Sequence, residues 1–172
     1  MQHFFTLLII SILPFCHSLL LAADMQNEPS DFRGIPWGAA LEQHQADLTF
    51  IRSDGDVAVY RRKTDSLKIG QADALKVAYR FYKGRFSAGI ILTYGAENER
   101  ILRSVLLGAY GKPEKPFARL EHFVWEGRDA RIVLTCEITT YCGAEFISIE
   151  ISAVELADGG DVPGKPKNRD DD

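Results

Sequence analysis

Between residues 74 and 94, apolar and polar positions alternate on both sides of one turn. Leu75, Val77, Tyr79 and Phe81 interleave with Lys76, Ala78, Arg80 and Tyr82, and Phe86, Ala88, Ile90, Leu92 and Tyr94 resume the pattern after Lys83-Gly84-Arg85. A period of two sends alternate side chains to opposite faces, so this stretch predicts a hairpin with one buried and one wet face.

The same reading extends outward. LTFIRS and VAVYRRK flank Ser53-Asp54-Gly55-Asp56, and Asp-Gly between β-prone runs predicts a second hairpin. In AENERILRSVLLGAYGKP the period changes: Ile101, Leu102, Val105, Leu106 and Ala109 recur at helical spacing. Acids precede this stripe, and Gly111 and Pro113 follow it, which predicts a helix. LEHFVWEG, ARIVLTCE and AEFISIEISAV predict three further strands, with Ile147, Ile149 and Ile151 buried in the last. Turns are expected at Gly127-Arg128-Asp129 and Tyr141-Cys142-Gly143.

Ahead of all these, FRGIPWG leads into AALEQHQADL, whose Leu41 and Leu48 lie seven apart with Ala40 and His44 between them, predicting a short amphipathic helix. Pro36 and Gly38 mark its entry, and Trp37 is expected to clamp it. The order α-β-β-β-β-α-β-β-β, with short connections, predicts an α+β fold: an antiparallel sheet of about seven strands with two helices on one face. Trp37-Gly38 and Tyr94-Gly95 each precede a predicted helix followed by strands, which suggests an internal duplication.

The two ends of the 172-residue chain differ from this middle. Phe4 to Phe15 is almost unbroken apolar sequence, and Ala22-Ala23 precedes Asp24, the layout of a signal peptide over residues 1–23. An uncleaved inner-membrane anchor is the alternative, because Phe4 to Ala23 approaches the roughly 20 apolar residues that span a bilayer. Residues 24–30 read as a linker, 31–157 as a single domain, and 158–172, rich in charge, glycine and proline, as a disordered tail.

Cys16 falls in the leader, so an exported chain would keep Cys136 and Cys142, which an oxidising compartment favours pairing. Charge is distributed unevenly. Residues 61–85 hold eight basic residues and two acids, net +6, while the whole chain is −4, leaving −10 for the remainder. Alternation places Lys76, Arg80 and Tyr82 on the wet face, and with Lys83 and Arg85 they form an expected patch for an anionic partner. The competing reading is a solvated face whose cations pair with neighbouring acids.

Catalytic signals are sparse. His44 and His122 lack the spacing of a metal motif, Ser87 and Ser104 sit outside nucleophile-elbow settings, and Gly34 and Gly38 form no phosphate loop. No catalytic, metal or cofactor residue is assigned.

FRGIPWGAALEQ, YRRKTDSLKIGQADALKVAYRFYKGRF and LLGAYGKP resemble uncharacterised exported bacterial proteins that combine an F-x-G-I-x-W-G helix entry with L-x-x-x-Y-G-x-P. In architecture the expected fold is similar to small outer-membrane assembly lipoproteins and to the β-lactamase-inhibitor-like fold, although the lipidated cysteine of the former is missing. The resemblance implies a structural module and carries no catalytic residue.

The expectation is therefore a periplasmic or secreted, non-enzymatic binding or envelope-assembly module. Its partner would be an envelope protein or an anionic lipid or glycan, without nucleic acid or cofactor. The alternatives are a proteinaceous inhibitor of a hydrolase, and a hydrolase whose acids converge only in three dimensions.

Overall fold

The computed structural model describes residues 25–137 and 141–160. The leader read over 1–23 and residues 161–172 of the tail read over 158–172 lie outside the described residues. Residues 158–160, by contrast, are ordered against the preceding helix and the sheet, the Gly160 amide donating to Glu155 and the Asp158 carboxylate accepting from Tyr82. Among those described, no helix is long and apolar enough to cross a membrane.

A small hairpin of β1 (Asp31–Phe32) and β2 (Ile35–Pro36) precedes the main sheet. That sheet begins with β3 (Leu48–Asp54), β4 (Val57–Arg62), the short β5 (Lys68–Ile69), β6 (Ala72–Tyr82) and β7 (Arg85–Tyr94). Helix α1 (Ala96–Tyr110) follows, then β8 (Glu121–Glu126), β9 (Ala130–Cys136), β10 (Tyr141–Ser148) and helix α2 (Ile149–Ala157). All pairings are antiparallel, in the order β3-β4-β6-β7-β10-β9-β8 with β5 against β6. The α+β antiparallel architecture agrees with the sequence pattern, with eight strands in the main sheet instead of about seven.

Local chemistry explains the hairpin at the centre. Lys83 and Gly84 both take positive φ, 46° and 74°, the backbone shape that joins two twisted strands through a two-residue turn. The buried face of β6 carries Val77, Tyr79 and Phe81. With Phe86, Ile91, Leu134 and Phe146 these form the main core, which Leu102 and Leu106 of α1 close.

Several expectations are corrected. The two helices lie on opposite faces: α1 covers the Tyr79–Phe81 side, and α2 covers the side to which Arg80 and Tyr82 point. The run AEFISIEISAV does not continue as a strand, because Ser148 accepts a hydrogen bond from the Ile151 amide and starts α2 there. Ile147, Ile149 and Ile151 keep a strand period, and the Ser148 cap, with Ile151 and Glu155 buried one helical turn apart, overrides it.

The predicted helix at AALEQHQADL is two 3₁₀ turns, Leu41–Gln43 and Gln45–Asp47. The backbone ahead of it is already engaged: Gly38 donates to Phe86, Phe86 to Ala39 and Leu41 to Gly84, so this stretch runs extended along the β6–β7 turn. The predicted clamp partner of Trp37 is absent with the helix. Trp37 stacks instead on Phe86, with ring planes 2° apart, and its indole N–H donates to the Pro29 carbonyl. The helix pair expected to echo each other after Trp37-Gly38 and Tyr94-Gly95 is accordingly one 15-residue helix and two short turns.

Finally, the described part of the expected linker is packed. Met25 is buried, its amide donates to Glu126, and the Glu28 carboxylate accepts from the amides of Asp129 and Ala130 at 2.5 and 2.6 Å. Burial pulls the Glu28 carboxyl up, but these backbone donors outweigh it and hold the group below the ordinary carboxylate range. Tyr141-Cys142-Gly143, expected as a turn, begins β10.

Candidate functional site

The expected cationic patch is where strand alternation puts it, but α2 lies over it. Arg80 grips Glu155 with both terminal nitrogens, one bond at 2.8 Å, and Glu155 is only 3% exposed. The Tyr82 hydroxyl donates to Asp158 at 2.7 Å, Lys83 pairs with the same carboxylate at 2.9 Å, and Arg85 reaches Glu150 at 3.1 Å. Four of the five patch residues thus face acids from α2 and its end. Hydrogen bonding to Asp158 pushes both the Tyr82 phenol and the Lys83 ammonium up.

Lys76, the fifth, stands apart. It borders a groove of about 670 Å³ where β4 and β6 separate. The two strands pair only from Val57–Tyr82 to Tyr60–Tyr79, after which β4 continues through Arg61 and Arg62 beside β3 while β6 runs on toward β5. Phe50, Leu67 and Leu75 offer apolar walls, with Phe50 56% and Leu75 57% exposed. Arg61, Arg62, Lys63 and Lys76 supply cations around them.

Leu75 reaches this groove because of an irregularity in β6. Ala74 pairs with Thr93 and Lys76 with Leu92, so one residue bulges between them and the alternation slips. Extrapolating the period back from Val77 had placed Leu75 in the core. The sequence does carry the conflicting signal: Ala72 and Ala74 fit one phase of the alternation, Val77 and Tyr79 the other.

Among the described residues the groove is lined by one acid, Asp65, and it is engaged. Arg33 binds one of its oxygens at 2.5 Å and the Tyr79 hydroxyl donates to the other at 2.5 Å. Burial, then the hydrogen bond to Asp65, push the Tyr79 phenol above its ordinary range, so it stays a donor. Arg62 lies over the Tyr79 ring at 5.0 Å and donates to the Arg33 carbonyl. Lys63 binds only the Ala46 carbonyl, and Arg61 and Lys76 form no ion pair among the described residues. The groove therefore keeps a positive field over an apolar floor. Sequence reading missed Phe50, Arg61 and Leu67 as site residues because the divergence of β4 from β6 is a tertiary feature.

The remaining chemistry-bearing residues are structural in their contacts. Cys136 and Cys142 face each other across β9 and β10 and are disulfide-bonded. The Glu99 carboxylate approaches both sulfurs, yet sulfurs bonded to each other offer no thiolate to a metal. His122 is buried, with Nδ1 at 2.9 Å from the Thr135 hydroxyl, and burial holds its pKa down. His44 ends the first 3₁₀ turn, and Ser87 is shared between the Arg80 guanidinium and its carbonyl.

In comparisons with known proteins, no family model, curated protein or solved structure matched the chain.

Proposed function

We propose that this chain is an exported, non-enzymatic binding module, and that the groove between β4 and β6 takes an anionic, partly apolar partner of the cell envelope. The observation that carries this reading is the contrast between two sets of cations. Those under α2 are matched by Glu150, Glu155 and Asp158, whereas Arg61 and Lys76 stand beside exposed Phe50 and Leu75 without acids of their own. Unmatched cations next to exposed apolar side chains favour a ligand that brings negative charge and apolar surface together.

Export rests on the leader-like sequence at residues 1–23, and the Cys136–Cys142 disulfide is consistent with an oxidising compartment.

The test uses two anionic probes, phosphatidylglycerol vesicles and a labelled peptide of alternating glutamate and valine, each beside a neutral counterpart. Binding of at least one anionic probe, lost in Arg61→Glu/Lys76→Glu and retained in Lys83→Glu/Arg85→Glu, is expected. Equal binding of anionic and neutral probes, or no effect of the groove substitutions, overturns the reading.

A further inference from the structure

Glu99 of α1, Cys136 of β9 and Cys142 of β10 bring their reactive atoms to one point. A carboxylate oxygen and both sulfurs all lie within 4.8 Å of one another. Both cysteines are buried in the main core, where strand register holds them: Cys142 pairs with Cys136 on one side and with Thr93 of β7 on the other. The Thr93 hydroxyl also donates to the Cys142 carbonyl at 3.3 Å.

The carboxylate is oriented as well. Arg103, one helical turn further on, donates to one Glu99 oxygen at 2.7 Å and to Glu121 at 2.9 Å, while the other Glu99 oxygen has no partner among the described residues. A hydrogen bond of this kind fixes the direction of a metal ligand.

While the sulfurs are bonded to each other they offer no thiolate, so the disulfide state cannot use this arrangement. Opening the bond changes its chemistry. Two thiolates and a carboxylate are a ligand set for zinc, and a tetrahedral ion with metal–sulfur bonds of about 2.3 Å needs its sulfurs about 3.8 Å apart. The cysteine Cα atoms stand 4.1 Å apart on facing strands, which puts that spacing within reach of side-chain rotation. A divalent ion held by these three ligands carries one net negative charge, and Arg103 supplies the matching cation.

We propose that, when the disulfide is reduced, Glu99, Cys136 and Cys142 bind one thiophilic divalent cation of the zinc class, and that disulfide closure expels it. Water completes the fourth position. Reduction is by thiol–disulfide exchange with a dithiol: its thiolate attacks one cysteine sulfur, the Cys136–Cys142 bond breaks, and the dithiol leaves as its own disulfide. The two electrons remain on the cysteine sulfurs, which become thiols and release two protons when the cation binds. Exchange with an oxidised disulfide reverses these steps, and the cation leaves with its charge unchanged.

The experiment uses the full chain carrying Cys16→Ser, so that no third thiol competes. Reduced anaerobically with a phosphine, it is titrated with Cd2+, whose bond to thiolate gives an ultraviolet charge-transfer band, and Zn2+ is then added as competitor. One Cd2+ per chain, displaced by Zn2+, is expected, with no band in the oxidised protein or in Cys136→Ser/Cys142→Ser. Glu99→Gln, which keeps the side-chain volume, should bind about tenfold or more weakly. Equal affinity in Glu99→Gln overturns the three-ligand site, as does a band in the oxidised protein or none in the reduced one. If reduction alone unfolds the chain, recovery of the near-ultraviolet dichroism on adding Cd2+, weaker in Glu99→Gln, supports the site, and no recovery overturns it.

Discussion

Arg80 and Glu155, 75 residues apart in sequence, meet in a two-pronged ion pair between β6 and α2. This contact fastens the last described helix to the sheet and occupies the cation that alternation alone would have left on a wet face. Because Glu155 is buried, losing one partner leaves the other charge uncompensated. Glu155→Ala should cost about 3 kcal/mol in urea unfolding, and Arg80→Met/Glu155→Leu should recover most of that loss, since an apolar pair of similar volume avoids the burial of charge. Equal losses in the single and double variants would show that the pair is not what holds α2.

The disulfide joins directly opposed residues on neighbouring strands, closing a short loop. Replacing both cysteines by serine should cost about 2 kcal/mol by the loop-entropy argument. The groove lies among β3, β4 and β6, so probe binding should be unchanged in the folded variant. A protein purified under oxidising conditions that still titrates both thiols would contradict the pairing.

Burial of His122 sets a pH dependence. Its folded pKa lies below the ordinary 6.5, so the unfolded chain takes up the proton first. Stability is therefore full above that value and falls as pH drops through it. Unfolding measured between about pH 7.5 and 5.5 should show this decline, and His122→Gln should flatten it. An unchanged slope in the variant would assign the effect elsewhere.

Export has its own readout. Expressed with its leader in a Gram-negative bacterium, the protein should be recovered from the periplasm with Asp24 at its amino terminus. Retention of Met1 in a membrane fraction would favour the anchored alternative.

Strand periodicity was legible wherever one face is buried throughout, as in Val77, Tyr79 and Phe81 or in α1 with Leu102 and Leu106. It failed where a cap ends the strand inside an alternating run, as Ser148 does between Ile147 and Ile151, and where a bulge changed phase at Leu75. The turns after Gly38 escaped because helix propensity in AALEQ is overridden by hydrogen bonds to Gly84 and Phe86, partners more than forty residues away. The uneven charge of residues 61–85 was visible at once. Which of those cations α2 would neutralise depended on a helix that the alternation had read as a strand.

The account depends on binding at the β4–β6 groove and not at the face beneath α2. The most direct test is a titration of the isotope-labelled protein with the glutamate–valine peptide, following backbone amide resonances. The account predicts shifts concentrated at Arg61–Lys63 and Leu75–Ala78, with Arg80 to Arg85 and α2 undisturbed. Shifts centred on Lys83, Arg85 and Glu150 instead, with the groove silent, would contradict it.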